Sequence, residues 1–321
     1  MFYLCANFIK MTTDSFYSSK IEHLKKDKNA IVLAHYYQED AIQDVADFVG
    51  DSLELAKKAA QTKADIIVFA GVYFMAETAK ILNPTKKVLL PDLLAGCSLA
   101  DGCPPDAFAD FKAKYPNHKV VTYINTSAEI KAMSDYVCTS SNAEKLIRSI
   151  PINQPLIFAP DQNLGTYLNK ITGRNMVLWK GSCIVHEAFS LEKLIDLCLE
   201  YPEAKIVAHP ESEDPILRIA HCIGSTSQMR NFIINSPFKT FIVATEVGIL
   251  HQLSKEVPNK KLIPAPSRKD NSCACSECAF MKINTLEKVY HCLLDETPEV
   301  IVNSSLSKKA LIPIEKMMQL S

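Results

Sequence analysis

The chain has 321 residues, 48% hydrophobic and 22% charged, the balance of an ordinary globular protein rather than a disordered one. Thirty-five Lys and Arg stand against 36 Asp and Glu, so bulk charge offers nothing to nucleic acid and any anion site must be local. The longest apolar runs, such as Ile66 to Met75, fall far short of the roughly 18–20 residues of a membrane span.

Residues 1–20 read as an N-terminal extension. Phe2, Tyr3, Leu4, Phe8 and Ile9 are apolar, but no basic stretch precedes a long apolar core, so a cytoplasmic protein without a secretory signal is expected. Met11 offers an alternative start. The first strand pattern, IVLAHYYQ (31–38), ends in a polar cluster, and DSLELAKKA (51–59) follows with Asp51 and Glu54 spaced as a capping box. IIVFAG (66–71) reads as a buried strand, and VLLPDLLAGC (88–97) carries another into a loop ending at Cys97.

The same series then recurs as VVTYINTS (120–127), TSSNAEKLI (139–147), PLIFAP (155–160) and MVLWKGSC (176–183). It returns a third time as KIVAHPES (205–212), STSQMRNFI (225–233), FIVATE (241–246) and KLIPAPSRKDNSC (261–273). His35, Tyr123 and His209 are 88 and 86 residues apart, as are Ser52, Ser140 and Thr226. Ala70, Ala159 and Ala244 are 89 and 85 apart, and Cys97 and Cys183 are 86 apart. The third cysteine loop is longer and offers Cys273, Cys275 and Cys278. This period is domain-sized, well beyond the 20–50 residues of a solenoid repeat.

Strands alternate with helical stripes such as Ala143, Leu146, Ile147 and Ile150, which implies βαβ units and parallel sheets between helices. The expected fold is α/β: three homologous three-layer αβα domains about a pseudo-threefold axis, with the site at the centre. Their boundaries are 21–105, 106–190 and 191–321, the last including C-terminal helices. Ligands of such sheets sit at the carboxyl ends of the strands, where the polar clusters lie. Asp51 with Glu54, Ser141 with Glu144 and Ser225 with Gln228 mark helix starts there. Their free N–H groups, with the hydroxyls of Ser52, Ser140, Ser225 and Thr226, suit carboxylate or phosphate. Taken singly, each hydroxyl is an ordinary cap worth about 1 kcal/mol; the shared register argues for more.

Eleven cysteines, an odd number, in a chain without a secretory signal point to metal or thiol chemistry. Cys5 and Cys138 read as structural, and Cys198, Cys222 and Cys292 as buried small hydrophobes in helix-like patterns. One cysteine at the same place in each repeat suggests a central soft-metal site, zinc or iron–sulfur. Zinc usually takes four ligands in close pairs, whereas Cys97 and Cys103 are six apart. A cluster held by three cysteines leaves one iron open to act as a Lewis acid, which favours catalysis over electron transfer. The competing reading is a local clip of Cys273, Cys275 and Cys278, with Cys97 and Cys183 as buried thiols. His186 is a fourth ligand, a substrate contact or an ordinary satisfied polar residue. His118, His221, His251 and His291 read as surface or helix residues, and Trp179 as packing.

AHYYQ, GDSLELA, TYINTSAEIKA, CTSSNA, WKGSC, HPE, GSTSQM and FMKINTLEK occur in this order from about residue 30 to 290. Together they resemble the motifs of the quinolinate synthase family. The resemblance implies three αβα domains and a [4Fe-4S] cluster held by Cys97, Cys183 and Cys278. It also implies condensation of iminoaspartate with dihydroxyacetone phosphate to quinolinate, releasing phosphate and water, in NAD biosynthesis. The implied substrate residues are His35, Tyr37, Ser52, Tyr123, Asn125, Ser140, His186, His209, Glu211, Ser225 and Thr226. Glu211 and His209 are the expected base pair, with Tyr37 or His35 passing protons. An aspartate oxidase or dehydrogenase is the expected source of iminoaspartate. Two alternatives remain: another cluster-dependent hydro-lyase, which would need no triose phosphate, and a non-enzymatic redox sensor centred on Cys273, Cys275 and Cys278.

Overall fold

The computed structural model describes residues 2–268 and 276–320, with side chains from residue 13 onward. The chain divides into two compact units, one made of Met1–Gly96 with Ala279–Val302 and the other of Cys97–Cys278 with Asn303–Ser321. No helix among the described residues is long and apolar enough to cross a membrane.

The first unit holds a parallel sheet of β1 (Ala30–His35), β2 (Phe48–Gly50), β3 (Ile66–Ala70) and β4 (Lys87–Leu89), in the order β2-β1-β3-β4. All five residues of β3 are buried, because a parallel strand between two helical layers has no solvent face to fill with polar residues. Ile21, Val32, Val68 and Leu89 belong to one core with Leu286, Val289, Cys292 and Leu293 of the helix Leu286–Asp295. Those last four recur at helical spacing, so one stripe of that helix closes the sheet.

The second unit holds two further sheets. One contains β5 (Lys119–Tyr123), β6 (Tyr136–Cys138), β7 (Leu156–Ala159) and β8 (Val177–Leu178), ordered β6-β5-β7-β8. The other contains β9 (Lys205–Ala208), β10 (Cys222–Ile223), β11 (Thr240–Ala244) and β12 (Lys261–Pro264), ordered β10-β9-β11-β12. All three sheets are parallel throughout and share one order, so the repeat read in the sequence is a repeat of topology.

Three details differ from expectation. The capping boxes of Asp51 with Glu54 and Ser225 with Gln228 form, but the helix Ala143–Ser149 starts behind Asn142 without a side-chain cap. A glycine stands one residue before each of the two boxes that form. A Cβ at Gly50 would come within 2.9 Å of Glu54 Cβ, and one at Gly224 within 2.8 Å of Gln228 Cβ. The middle repeat carries Cys138 at the matching position, so Thr139 and Asn142, not Ser141 and Glu144, stand where Asp51 with Glu54 and Ser225 with Gln228 stand. Asn142 instead accepts the Thr139 N–H at 2.8 Å and donates to the Met317 carbonyl at 3.3 Å. Second, Cys222 lies in a strand, not a helix. Third, the C-terminal segments grouped in sequence with the third repeat pack elsewhere: Leu286–Asp295 on the first sheet, and Ser304–Gln319 on β6 and the helix Ala128–Ala132. Trp179 packs as expected, against Phe108 and Phe111.

Candidate functional site

In the second unit β5 ends at Tyr123, and β9 is continued by the His209 N–H donating to the Ala244 carbonyl at 3.1 Å. The chain then turns, with the Ser212 N–H on the His209 carbonyl and the Glu211 N–H on His209 Nδ1 at 3.4 Å. That leaves Nε2 of His209 to carry its proton toward Ser140 Oγ, 3.2 Å away. The same turn exists in the first unit, where the Tyr37 N–H donates to His35 Nδ1 at 3.2 Å.

Glu211 is 2% exposed and holds both imidazoles: Oε2 lies 2.9 Å from His186 Nδ1 and Oε1 lies 3.8 Å from His209 Nδ1. The two rings stack at 4.6 Å. His186 also reaches Cys183 Sγ at 3.2 Å and, through Nε2, Thr245 Oγ1 at 3.0 Å. Burial alone would raise the Glu211 carboxyl. His209, then His186, and hydrogen bonds from His186 and Tyr123 outweigh it and hold the group below the usual carboxylate range. Glu211 is therefore a fixed anion held between the two imidazoles.

Three thiols converge beside this group. Cys97, Cys183 and Cys278 are mutually repulsive when ionised, and Glu211 adds to the repulsion at Cys97 and Cys183. Burial is the larger cause; it pushes Cys97 up to about 12 and Cys183 well above the ordinary thiol range. Protonated, the three half-buried thiols carry no charge; as thiolates they need a cation to neutralise them. The ligand atoms of Cys183, His186 and Glu211 also lie within 4.8 Å of one another, but the last two already satisfy each other. The remaining soft donors are the three thiols, a set that fits an iron–sulfur cluster better than a closed four-ligand zinc site.

The backbone ties each thiol to its repeat in the same way. Tyr73 donates its N–H to the Ala95 carbonyl at 2.7 Å, Gln162 to Gly181 at 2.8 Å and Val247 to Ser276 at 3.2 Å. Each acceptor stands two residues before a cysteine, namely Cys97, Cys183 and Cys278. Cys278 is thus the positional equivalent of the other two, an equivalence hidden in the sequence by its longer loop. Cys273 and Cys275 lie outside the described residues.

Tyr123, Ser140, His186, His209 and Glu211 form one connected group. Asn125 has a buried Oδ1 without a partner, and Ser225 and Thr226 are buried at the start of the helix Thr226–Asn235. His35, Tyr37 and Ser52 belong to the other unit, where the His35 and Tyr37 rings meet at 4.4 Å and Ser52 opens the helix Ser52–Gln61. Sequence reasoning missed Thr245, Asp161 and Glu246. The register contained a signal for the last two: both stand two residues after the aligned alanines Ala159 and Ala244, as acids at the end of a buried strand.

Triplicated parallel-sheet repeats, with three thiols gathered beside a carboxylate and two imidazoles, define an α/β enzyme with a candidate metal site. Residues 19–319 match the family model NadA, Quinolinate synthetase A protein. The chain belongs to this family. It is 60% identical over 301 residues to a quinolinate synthase of Microcystis aeruginosa, covering 94% of each chain, and 59% identical to one of Synechococcus sp., again covering 94% of each. A quinolinate synthase of Gloeothece citriformis is 60% identical over 94% of this chain and 93% of its own.

Proposed function

We propose that the chain condenses iminoaspartate with dihydroxyacetone phosphate to quinolinate, releasing phosphate and water, with a [4Fe-4S] cluster held by Cys97, Cys183 and Cys278. The observation that supports this reading is the convergence of those three thiols beside the His186–Glu211–His209 group, with Cys183 3.2 Å from His186. When bound, a cluster with three protein ligands supplies an open iron that polarises a substrate oxygen and eases loss of water.

The chain's own residues supply binding and proton transfer. His209, with Nε2 toward Ser140 and Glu211 behind it, is placed to take and return a proton at Nε2. Glu211 fixes both imidazoles rather than serving as the base itself, because its carboxyl is held ionised and weakly basic. The hydroxyls of Tyr123 and Ser140, the unpaired Asn125 oxygen and the capped helix start at Ser225 and Thr226 offer partners for substrate carboxylate and phosphate. Family resemblance adds His35, Tyr37 and Ser52 to the residues proposed to bind substrate. Free thiols at every described cysteine accord with a cytoplasmic setting, and an aspartate oxidase or dehydrogenase is the matching source of iminoaspartate.

The test is anaerobic purification with iron and sulfide assay, alongside quinolinate formation from the two substrates. Wild-type protein is expected to hold about four irons and four sulfides per chain when the cluster is intact. Cys97→Ser, Cys183→Ser and Cys278→Ser should each lose most of the iron and the activity. Full iron retention by Cys97→Ser and Cys183→Ser would discard the three-repeat site in favour of a local clip.

A further inference from the structure

The residue preceding each loop-tying donor is Val72, Asp161 or Glu246, one from each repeat. Two of these equivalent positions are fully buried acids. Glu246 Oε1 accepts the main-chain N–H of Cys278 at 3.2 Å, and its Oε2 accepts that of Gly248 at 2.7 Å. Asp161 Oδ1 accepts the Leu164 N–H at 2.7 Å. The Cys183 main-chain N–H also acts on the Asp161 carboxyl, more loosely, since Oδ2 has no well-aligned donor. The first repeat has Val72 in place of an acid: Cys97 opens the short helix Ser98–Asp101, and the main-chain N–H groups of Ala100 and Leu99 act on its thiol without forming a cap bond.

We infer that Glu246, and more weakly Asp161, are positioning residues that hold the main chain of Cys278 and Cys183 so that their sulfurs stay aimed at a common centre. A carboxyl is buried at a cost unless it accepts hydrogen bonds, so two acids at one register position mark a demand of the loops they grip. Neither acid touches a reacting atom; each acts through the backbone of a thiol. The inference deepens the cluster reading and rests on it.

The experiment uses anaerobically purified holoenzyme and reads iron release to an excess of chelator. Glu246→Ala is expected to release iron about 10–100-fold faster than wild type, the usual effect of losing a partner that orients a metal ligand. Glu246→Gln, which keeps an acceptor oxygen at the same reach, should restore most of the retention. In chelated, metal-free protein, iodoacetamide labelling of Cys278 relative to Cys97 in the same molecule should rise in Glu246→Ala, and Asp161→Ala should do the same for Cys183 to a smaller degree. If Glu246→Ala does not fold, Glu246→Asp, which keeps the charge but shortens the reach, should release iron faster than wild type. Unchanged release and unchanged labelling ratios would overturn the inference. Wild-type protein without iron and sulfide would instead overturn the cluster reading, and the labelling ratio alone would then decide the role of Glu246.

Discussion

His209 and Glu211 stand two residues apart on one turn, yet the site gives them different work. The Glu211 carboxylate faces two imidazoles, while His209 turns Nε2 outward to Ser140. His209→Ala should therefore lower kcat by roughly 10²–10⁴-fold, the range of a positioned acid–base group, with iron content unchanged. Glu211→Gln should lower kcat and also change stability with pH. Because the folded carboxyl is depressed, its contribution is present above the unfolded value of about 4.3 and is lost as pH falls through the folded value. Thermal melts of wild type and Glu211→Gln should thus differ at pH 6 and converge as acid is added. Equal melts at every pH would contradict the pairing.

At the scale of single elements, the helix starts carry the repeat. Asp51 accepts the N–H groups of Leu53 and Glu54 at 3.0 Å each, and Glu54 returns a bond to the Asp51 N–H at 2.9 Å. Asp51→Ala should cost about 1–2 kcal/mol of unfolding free energy of the first unit, read by urea titration. The capping pattern was legible in the sequence because a box needs only two residue types three apart. Its failure at Ser141 and Glu144 was not, since it depends on where the middle helix actually begins, which is behind Asn142. There Asn142 accepts the Thr139 N–H at 2.8 Å, as Glu54 accepts that of Asp51 at 2.9 Å.

Across the whole molecule, the chain's last two long helices close sheets laid down much earlier in the sequence. Ala310, Ile314 and Met317 of the helix Ser304–Gln319 are fully buried, and that helix packs on β6, the edge strand of the second sheet. Ile314→Ala should cost roughly 2–5 kcal/mol, the usual range for emptying a packed site. Truncation after Val302 should leave a protein that exposes β6 and binds a hydrophobic dye; a truncated chain as stable as the full one would refute this packing. By itself, the sequence determined the triplicated parallel sheets, because strand and helix periods and an 86–89-residue register are local or near-local patterns. It also determined which residue types stand at each strand end. Only the tertiary structure decided that Cys278 answers to Cys97 and Cys183, that Glu211 is shared by two imidazoles, and that Glu246 grips a cysteine 32 residues away. Each of these depends on loops of unequal length being drawn to one place, and such convergence leaves no period in the chain.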